Sequence, residues 1–184
     1  MNIVHFVGAG PGSADLITLR GKVLIENADV IIYAGSLVNP GLLDFAKKDC
    51  VIHNSATMTL DEVVEVIKNA VAHAKTVVRL HTGDPSIYGA IREQMDKLTE
   101  LGIEYEICPG VSGFCAAAAS LKSEYTLPGV SQTVIITRAA GKTPVPEREA
   151  IRDLAAHGAT MVLFLSAGLL ESVSRNMNNG SQLG

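Results

Sequence analysis

Short apolar runs that each stop at a glycine-bearing turn, then give way to helical spacing, constrain this 184-residue chain more than any other feature. Asn2–Val7 runs into the loop Gly8–Ser13. Asp29–Tyr33 ends at Ala34 and Gly35, Thr76–Leu80 ends near the turn Thr82–Ser86, and Glu104–Cys108 ends at Pro109 and Gly110. Apolar runs of this length suit strands whose sheet is covered by helices on both faces. The segments between them read as helices. Ala14–Asn27 places Leu16, Leu19, Val23 and Leu24 on one side. Pro40–Lys48 is a short helix, and Val51–Asn54 is a further strand. Thr59 is a natural cap ahead of Asp61 and Glu62 for a helix reaching about Ala74. Further helices run from about Ile87 to Leu101 and over the Ala-rich Gly113–Leu121. Alternating strands and helices require right-handed crossovers, so the expected class is α/β with a mostly parallel first sheet.

The pattern thins after residue 122. Ser131–Thr137 is a β-branched strand, Gly141–Pro146 is turn-rich, Glu147–His157 is helical, and Thr160–Leu165 is another strand. The expected organisation is a first α/β domain at 1–122 and the start of a second, incomplete one at 123–173. Its hinge falls near Ser123–Gly129. The remainder, 174–184, is an unmatched tail expected to be disordered, because RNMNNGSQLG is polar and has no period. A second domain of about 55 residues has little apolar surface to bury, so the chain is expected to be truncated.

Hydrophobic residues make up 47% of the chain but aromatics only 4%, with no Trp, so Val, Ile, Leu and Ala must fill the core. The formal net charge is −4 and no Lys/Arg run occurs, so neither nucleic acid nor an anionic membrane is an expected partner. Cys50, Cys108 and Cys115 are odd in number and form no CxxC, which fits small apolar thiols in a reducing compartment and neither a disulfide nor a metal site. No apolar run approaches about 18 residues, and MNIVHFVGAG lacks the form of a signal peptide. A cytoplasmic protein is expected.

Four loops carry the candidate chemistry. VGAGPG at 7–12 lies between a strand and a helix, where a ligand can approach bare backbone. A dinucleotide fingerprint would need glycine where Ser13 stands and an acid near Tyr33-Ala34-Gly35, and both are missing. No Gly-Lys-Ser/Thr follows for a phosphate loop. A tight structural turn and a pocket for another ligand remain open. RLHTGDPSIYGA at 79–90 follows a buried strand, and Pro85 keeps Asp84 out of helical geometry. Asp84 could bind a ligand or cap the next helix. CPGVSGFCAAAA at 108–119 has small residues that admit a flat ligand or tight helix packing. TRAAGKTPVP at 137–146 offers Arg138 for an anion and Lys142 for solvent. Glycine-rich loops at three strand ends imply a cleft for a small ligand.

VGAGPGSADLITLRG at 7–21, RLHTGDPSIYGA and PGVSGFCAAAA resemble the three signatures of the tetrapyrrole methylase family, over roughly residues 1–173. That resemblance implies a two-domain α/β fold that binds S-adenosylmethionine (SAM), and a homodimer. ADVIIYAGSLVNP at 28–40 and TLPGVSQTVIITRAAGKTPVPE at 126–147 are similar to the branch acting at C11 of precorrin-4 or cobalt-precorrin-4 in cobalamin biosynthesis. Carried onto this chain, the resemblance places Pro11, Thr82, Gly83, Asp84, Ile87, Ser112, Gly113 and Leu165 against SAM. Tyr33, Ser36 and Arg138 are expected on the tetrapyrrole side. The uroporphyrinogen branch has an acid where this chain has Ala34, so no base is carried to that position. His81, Ser86 and Tyr88 are the candidates for proton transfer. Methyl transfer from a sulfonium to an electron-rich carbon needs alignment more than a strong base. The rival readings are a SAM-binding chain without turnover, another precorrin methyltransferase, and an NAD-dependent oxidoreductase.

Overall fold

The structure is a computed structural model that describes residues 3–141, 143–169, 171 and 173–175. Lys142 and the tail beyond Arg175 lie outside the described residues. The chain divides into two units after Ala117.

In the first unit five strands form one sheet: β1 (Val4–Gly8), β2 (Val30–Tyr33), β3 (Val51–Asn54), β4 (Val77–His81) and β5 (Tyr105–Cys108). Every neighbouring pair is parallel, in the order β3-β2-β4-β1-β5. The helices are α1 (Leu19–Asn27), α2 (Leu60–Ala72), α3 (Arg92–Glu100) and α4 (Gly113–Leu121), the last of which begins in this unit. Side-chain alternation along the central strands β1, β2 and β4 gives the sheet two buried faces. Val4, Phe6, Ile32 and Val77 meet Val63 and Ile67 of α2 and Leu98 of α3. Val7, Ile31, Val78 and Leu80 meet Ile25 of α1 and Leu42. Val and Ile side chains buried in this way contribute roughly 1.5–3 kcal/mol each.

The strand order decides where a ligand fits. From β1 the chain crosses toward β3, whereas from β4 it crosses toward β5. Right-handed crossovers in opposite directions put α1 and α3 on opposite faces, as their core contacts record. The two connections part company between the carboxyl ends of β1 and β4. That is the crevice in which open α/β sheets bind ligands.

Several helices are shorter than their spacing predicts. Ala14–Asn27 is broken: a single 3-10 turn covers Ala14–Leu16, and α1 starts only at Leu19. Thr18 is extended at φ −69° and ψ 149°, and its hydroxyl accepts the Gly21 N–H at 3.0 Å, so it caps a new helix. The apolar face shifts too. Leu19 is 85% exposed and Val23 53%, while Gly21 and Ile25 turn inward. A Cβ on Gly21 would lie 3.2 Å from Val7 Cγ1, so α1 packs close against β1 there and a larger residue would make its neighbours give by a few tenths of an ångström. Pro40–Phe45 is 3-10 rather than α-helix. The helix expected from Ile87 starts at Arg92, because Tyr88 and Ala90 take left-handed φ values of 54° and 51°. α2 behaves as read, with the full reciprocal cap between Thr59 and Glu62. Cys108 is buried and Cys50 partly so, but Cys115 is exposed rather than packed.

The second unit holds β6 (Val134–Arg138) and β7 (Thr160–Phe164), parallel and in register from Val134 against Thr160 to Arg138 against Phe164. The connection contains a 3-10 turn at Glu147–Glu149 and α5 (Ile151–Ala155), in place of one helix from Glu147 to His157. Ala150 is extended at ψ 137° and separates the two. Among the described residues no helix is long and apolar enough to cross a membrane.

Candidate functional site

The carboxyl ends of four strands are tied to one another by their loops. After β1, the Ala9 N–H donates to the His81 carbonyl at 2.6 Å, and Gly10 and Gly83 exchange N–H···O bonds of 3.2 and 2.9 Å. This small antiparallel bridge couples the loops after β1 and β4. The Thr82 hydroxyl donates to the Leu37 carbonyl at 2.9 Å, which brings in the loop after β2. Asn39 closes the ring by donating through Nδ2 to the Gly12 carbonyl at 2.6 Å. The Gly110 N–H, after β5, donates to Asp84 Oδ2 at 2.9 Å.

At the centre, backbone packs on backbone. A Cβ built on Gly8 would lie 2.5 Å from Gly110 Cα and 2.6 Å from the Gly83 oxygen. One built on Gly110 would lie 2.2 Å from the same oxygen. Gly83 adds a left-handed φ of 63°. Its missing Cβ would make ordinary contact, 3.7 Å, with Ser112 Cα and Gly113 N, so the head of α4 sits beside the Gly-Asp-Pro turn.

Asp84 is a brace in this arrangement. Its Oδ1 accepts the Ser86 N–H at 2.8 Å and the Ser86 hydroxyl, while Oδ2 takes Gly110. Burial pushes its carboxyl upward, but the bonds from Ser86 and Gly110 outweigh that and hold it below the usual carboxylate value. The charge therefore stays on the site at neutral pH. Asp84 does not cap α3, which begins eight residues later.

The residues expected around a cofactor divide between the units. Pro11, Thr82, Gly83, Asp84, Ile87, Ser112 and Gly113 all belong to these joined strand-end loops and the head of α4 in the first unit. Ser112 is buried and Gly113 is exposed, with nothing within 4 Å of its absent Cβ. Leu165 is in the second unit just past β7, left-handed at φ 55° and 76% exposed. Tyr33 closes β2 half-buried, its carbonyl accepting the Ser55 hydroxyl at 2.9 Å, and Ser36 lies exposed three residues on. Arg138, in the second unit, donates to the Thr143 and Pro144 carbonyls at 2.9 and 2.7 Å, bracing its own loop with two of its N–H groups.

The proton-transfer candidates differ in kind. Ser86 is exposed and engaged with Asp84, and Tyr88 is exposed at a left-handed φ. His81 is only 4% exposed, beside the Phe6 ring. Burial, with the nearby Arg79 charge, pushes its imidazole down to about 3, so it is neutral at physiological pH and a weak base.

Three residues that hold this site were not singled out from sequence. Gly8 and Gly110 enter through close packing, and Asn39 through the loop after β2. The Asn-Pro-Gly string at 39–41 is a turn signal that marks Asn39, whose Oδ1 accepts the Gly41 N–H at 2.9 Å. Nothing in the string tells that its amide reaches Gly12.

A parallel sheet with glycine-built loops joined at its switch point defines a small-molecule-binding α/β protein, without a nucleotide fingerprint. More specifically, the chain belongs to the tetrapyrrole (corrin/porphyrin) methylases, whose family profile matches residues 3–182. It is 59% identical over 177 residues to the cobalt-precorrin-4 C(11)-methyltransferase of Methanocaldococcus jannaschii, covering 96% of this chain and 68% of that one. It is 49% identical over 170 residues to the precorrin-4 C(11)-methyltransferase of Pseudomonas aeruginosa, covering 92% and 68%. An X-ray structure of a cobalt precorrin-4 methyltransferase matches with a TM-score of 0.94 at 46% identity, over 97% of this chain and 74% of that one. The uroporphyrin-III C-methyltransferase of Thermus thermophilus, complexed with S-adenosylhomocysteine, matches with a TM-score of 0.78 at 25% identity, covering 97% and 77%.

Proposed function

We propose that this chain is a SAM-dependent methyltransferase acting at C11 of precorrin-4 or cobalt-precorrin-4 in cobalamin biosynthesis. The observation that carries this reading is the 59% identity, over 96% of the chain, to a protein named for that reaction. The first unit's loops fit the cofactor. Gly113 leaves open space at the head of α4, and Gly83 presents bare backbone next to it. Asp84 keeps a negative charge nearby, suited to a sulfonium cation. When bound, SAM supplies an already activated methyl group.

The residues of this chain then have to align and shield. The bonds among Gly10, Gly83, Thr82, Asn39 and Asp84 fix the loop backbone before any ligand arrives. Such alignment is worth roughly 7–11 kcal/mol of barrier in favourable cases. His81 is too weak a base to drive the reaction, and Ala34 offers none, which suits a transfer needing no strong base. Tyr33, Ser36 and Arg138 are the proposed contacts to the tetrapyrrole, and Leu165 is a proposed contact to SAM. We read the protein as a cytoplasmic homodimer with neither nucleic acid nor membrane as partner.

The test supplies purified protein with methyl-labelled SAM and, in parallel, precorrin-4 and cobalt-precorrin-4. Label at C11 of either macrocycle is the expected result. Retention of SAM with no transfer to either would replace the enzyme by a binding protein.

A further inference from the structure

Behind the site, on the α3 side of the sheet, three buried polar side chains lie on one face, and through Gln94 they take hold of one loop. The His81 ring lies beside the Gly89 backbone, and its Nε2 has no partner. Gln94, on the first turn of α3, donates through Nε2 to the Ala90 carbonyl at 3.1 Å. The Oε1 of the same amide accepts from Arg79 Nε at 3.0 Å, and Arg79 Nη1 donates to the Ile32 carbonyl at 3.1 Å. Arg79, His81 and Gln94 are 7%, 4% and 6% exposed. A guanidinium buried without a carboxylate among its bonded partners, and an imidazole with one nitrogen unpaired, are costly features for a fold to keep.

The loop they grip is shaped against the ordinary preferences of its residues. Tyr88 and Ala90 are both left-handed, and a Cβ on Gly89 would fall 2.2 Å from the Pro85 oxygen. The same loop carries Ser86 and Ile87, and both their amides bond to Asp84. We propose that Gln94, oriented by Arg79, is a positioning residue that clamps the 84–91 loop in its cofactor-binding shape. The proposal rests on the SAM reading above for its ligand, but the clamp itself is a property of the free protein.

The experiment compares the full chain with Gln94→Glu and Gln94→Leu. It measures S-adenosylhomocysteine affinity by calorimetry, and amide hydrogen exchange at Ser86 and Ile87 without ligand. Glu at 94 keeps an acceptor for Arg79, and adds opposite charge, while losing the donor to Ala90. Leu keeps an apolar stem in the space but gives up both bonds. Gln94→Glu is expected to weaken binding about tenfold and speed exchange by a similar factor, the effect of one lost buried hydrogen bond. Gln94→Leu shifts both in the same direction and further, because Arg79 loses its acceptor as well. In turnover the SAM KM rises while the tetrapyrrole KM stays.

If Gln94→Leu does not fold, Gln94→Glu decides alone. Unchanged binding and exchange in Gln94→Glu overturn the clamp. Wild-type protein that fails to bind S-adenosylhomocysteine overturns the SAM reading instead, and the exchange rates still judge the clamp.

Discussion

Replacing Gly110 by Ala tests the junction of strand-end loops at its tightest point. The φ of Gly110 is not left-handed, so alanine can adopt the backbone and the effect is steric. The new Cβ would lie 2.2 Å from the Gly83 oxygen and 2.7 Å from Gly8 Cα, both rigid main-chain atoms. Reaching even 3.0 Å requires the Gly83 carbonyl to retreat by about 0.8 Å, in a region packed too densely to absorb it. That carbonyl accepts from Gly10, and the Gly110 N–H holds Asp84, so a retreat strains both bonds. Overpacking of this kind costs about 1–3 kcal/mol, partly offset by the lower chain entropy of unfolded alanine. For a chain of this length the melting temperature should fall by about 3–8 °C. Moving a binding loop by nearly 1 Å should weaken S-adenosylhomocysteine far more, by about 10²-fold. Calorimetric titration and thermal unfolding, with exposed Gly168→Ala as control, separate the two effects. A Gly110→Ala protein that melts and binds like wild type would refute the backbone-on-backbone account.

Gly113→Ala makes the opposite demand: no atom lies within 4 Å of its would-be Cβ, so stability should hold or rise slightly while cofactor affinity drops by about tenfold or more. Equal affinity in that titration would put the ligand away from the head of α4. Thr59→Ala removes the hydroxyl that accepts from Glu62 N–H, and urea unfolding should show a loss of about 1 kcal/mol with catalysis untouched. Asp29 is held below the usual carboxylate value, first by the hydrogen bond from Lys47 and then by that from Thr76 N–H. Its contribution is therefore complete above about pH 4 and drains away as pH falls through its lowered native value. Urea midpoints taken from pH 7 to pH 3 should fall less steeply for Asp29→Asn than for wild type; parallel curves would remove Asp29 from the acid response.

What the string of residues makes legible is the sheet. Each apolar run of the first unit became a strand; in the central β1, β2 and β4, burial on both faces leaves a four- or five-residue apolar run few other choices, whereas β3 and β5 are largely exposed edges. The reciprocal Thr59–Glu62 cap is a local device and reads locally. Helix limits elsewhere depend on distant partners. Ala14–Asn27 keeps helical spacing throughout, yet Thr18 breaks it, and the close approach of Gly21 to Val7 selects which face turns inward. The start of α3 is delayed by the left-handed Tyr88 and Ala90, and the Ala90 carbonyl is held by Gln94 from outside the loop. The site was legible as a set of glycine loops, since the chemistry of close approach requires them. Its internal ties were not, because Asn39 to Gly12 and Asp84 to Gly110 join positions 27 and 26 residues apart.

The glycines themselves divide into two groups, and the division bears on what the loops are for. Gly8 and Gly110 are forced by the protein alone: any side chain there strikes main chain at 2.2–2.6 Å. A purely structural junction needs those two and nothing further. Gly113 has no such excuse. Its φ is ordinary and its surroundings are open, and it stands at the first position of α4 rather than inside the helix. Gly141 and Gly168 are equally open, so openness alone marks no site. Gly113 differs in its neighbours: it follows buried Ser112, its N lies 3.7 Å from where a Cβ on Gly83 would stand, and it heads the helix beside the loops that Asp84 braces. An open position among loops already locked in place is where the proposed SAM reading sets its ligand.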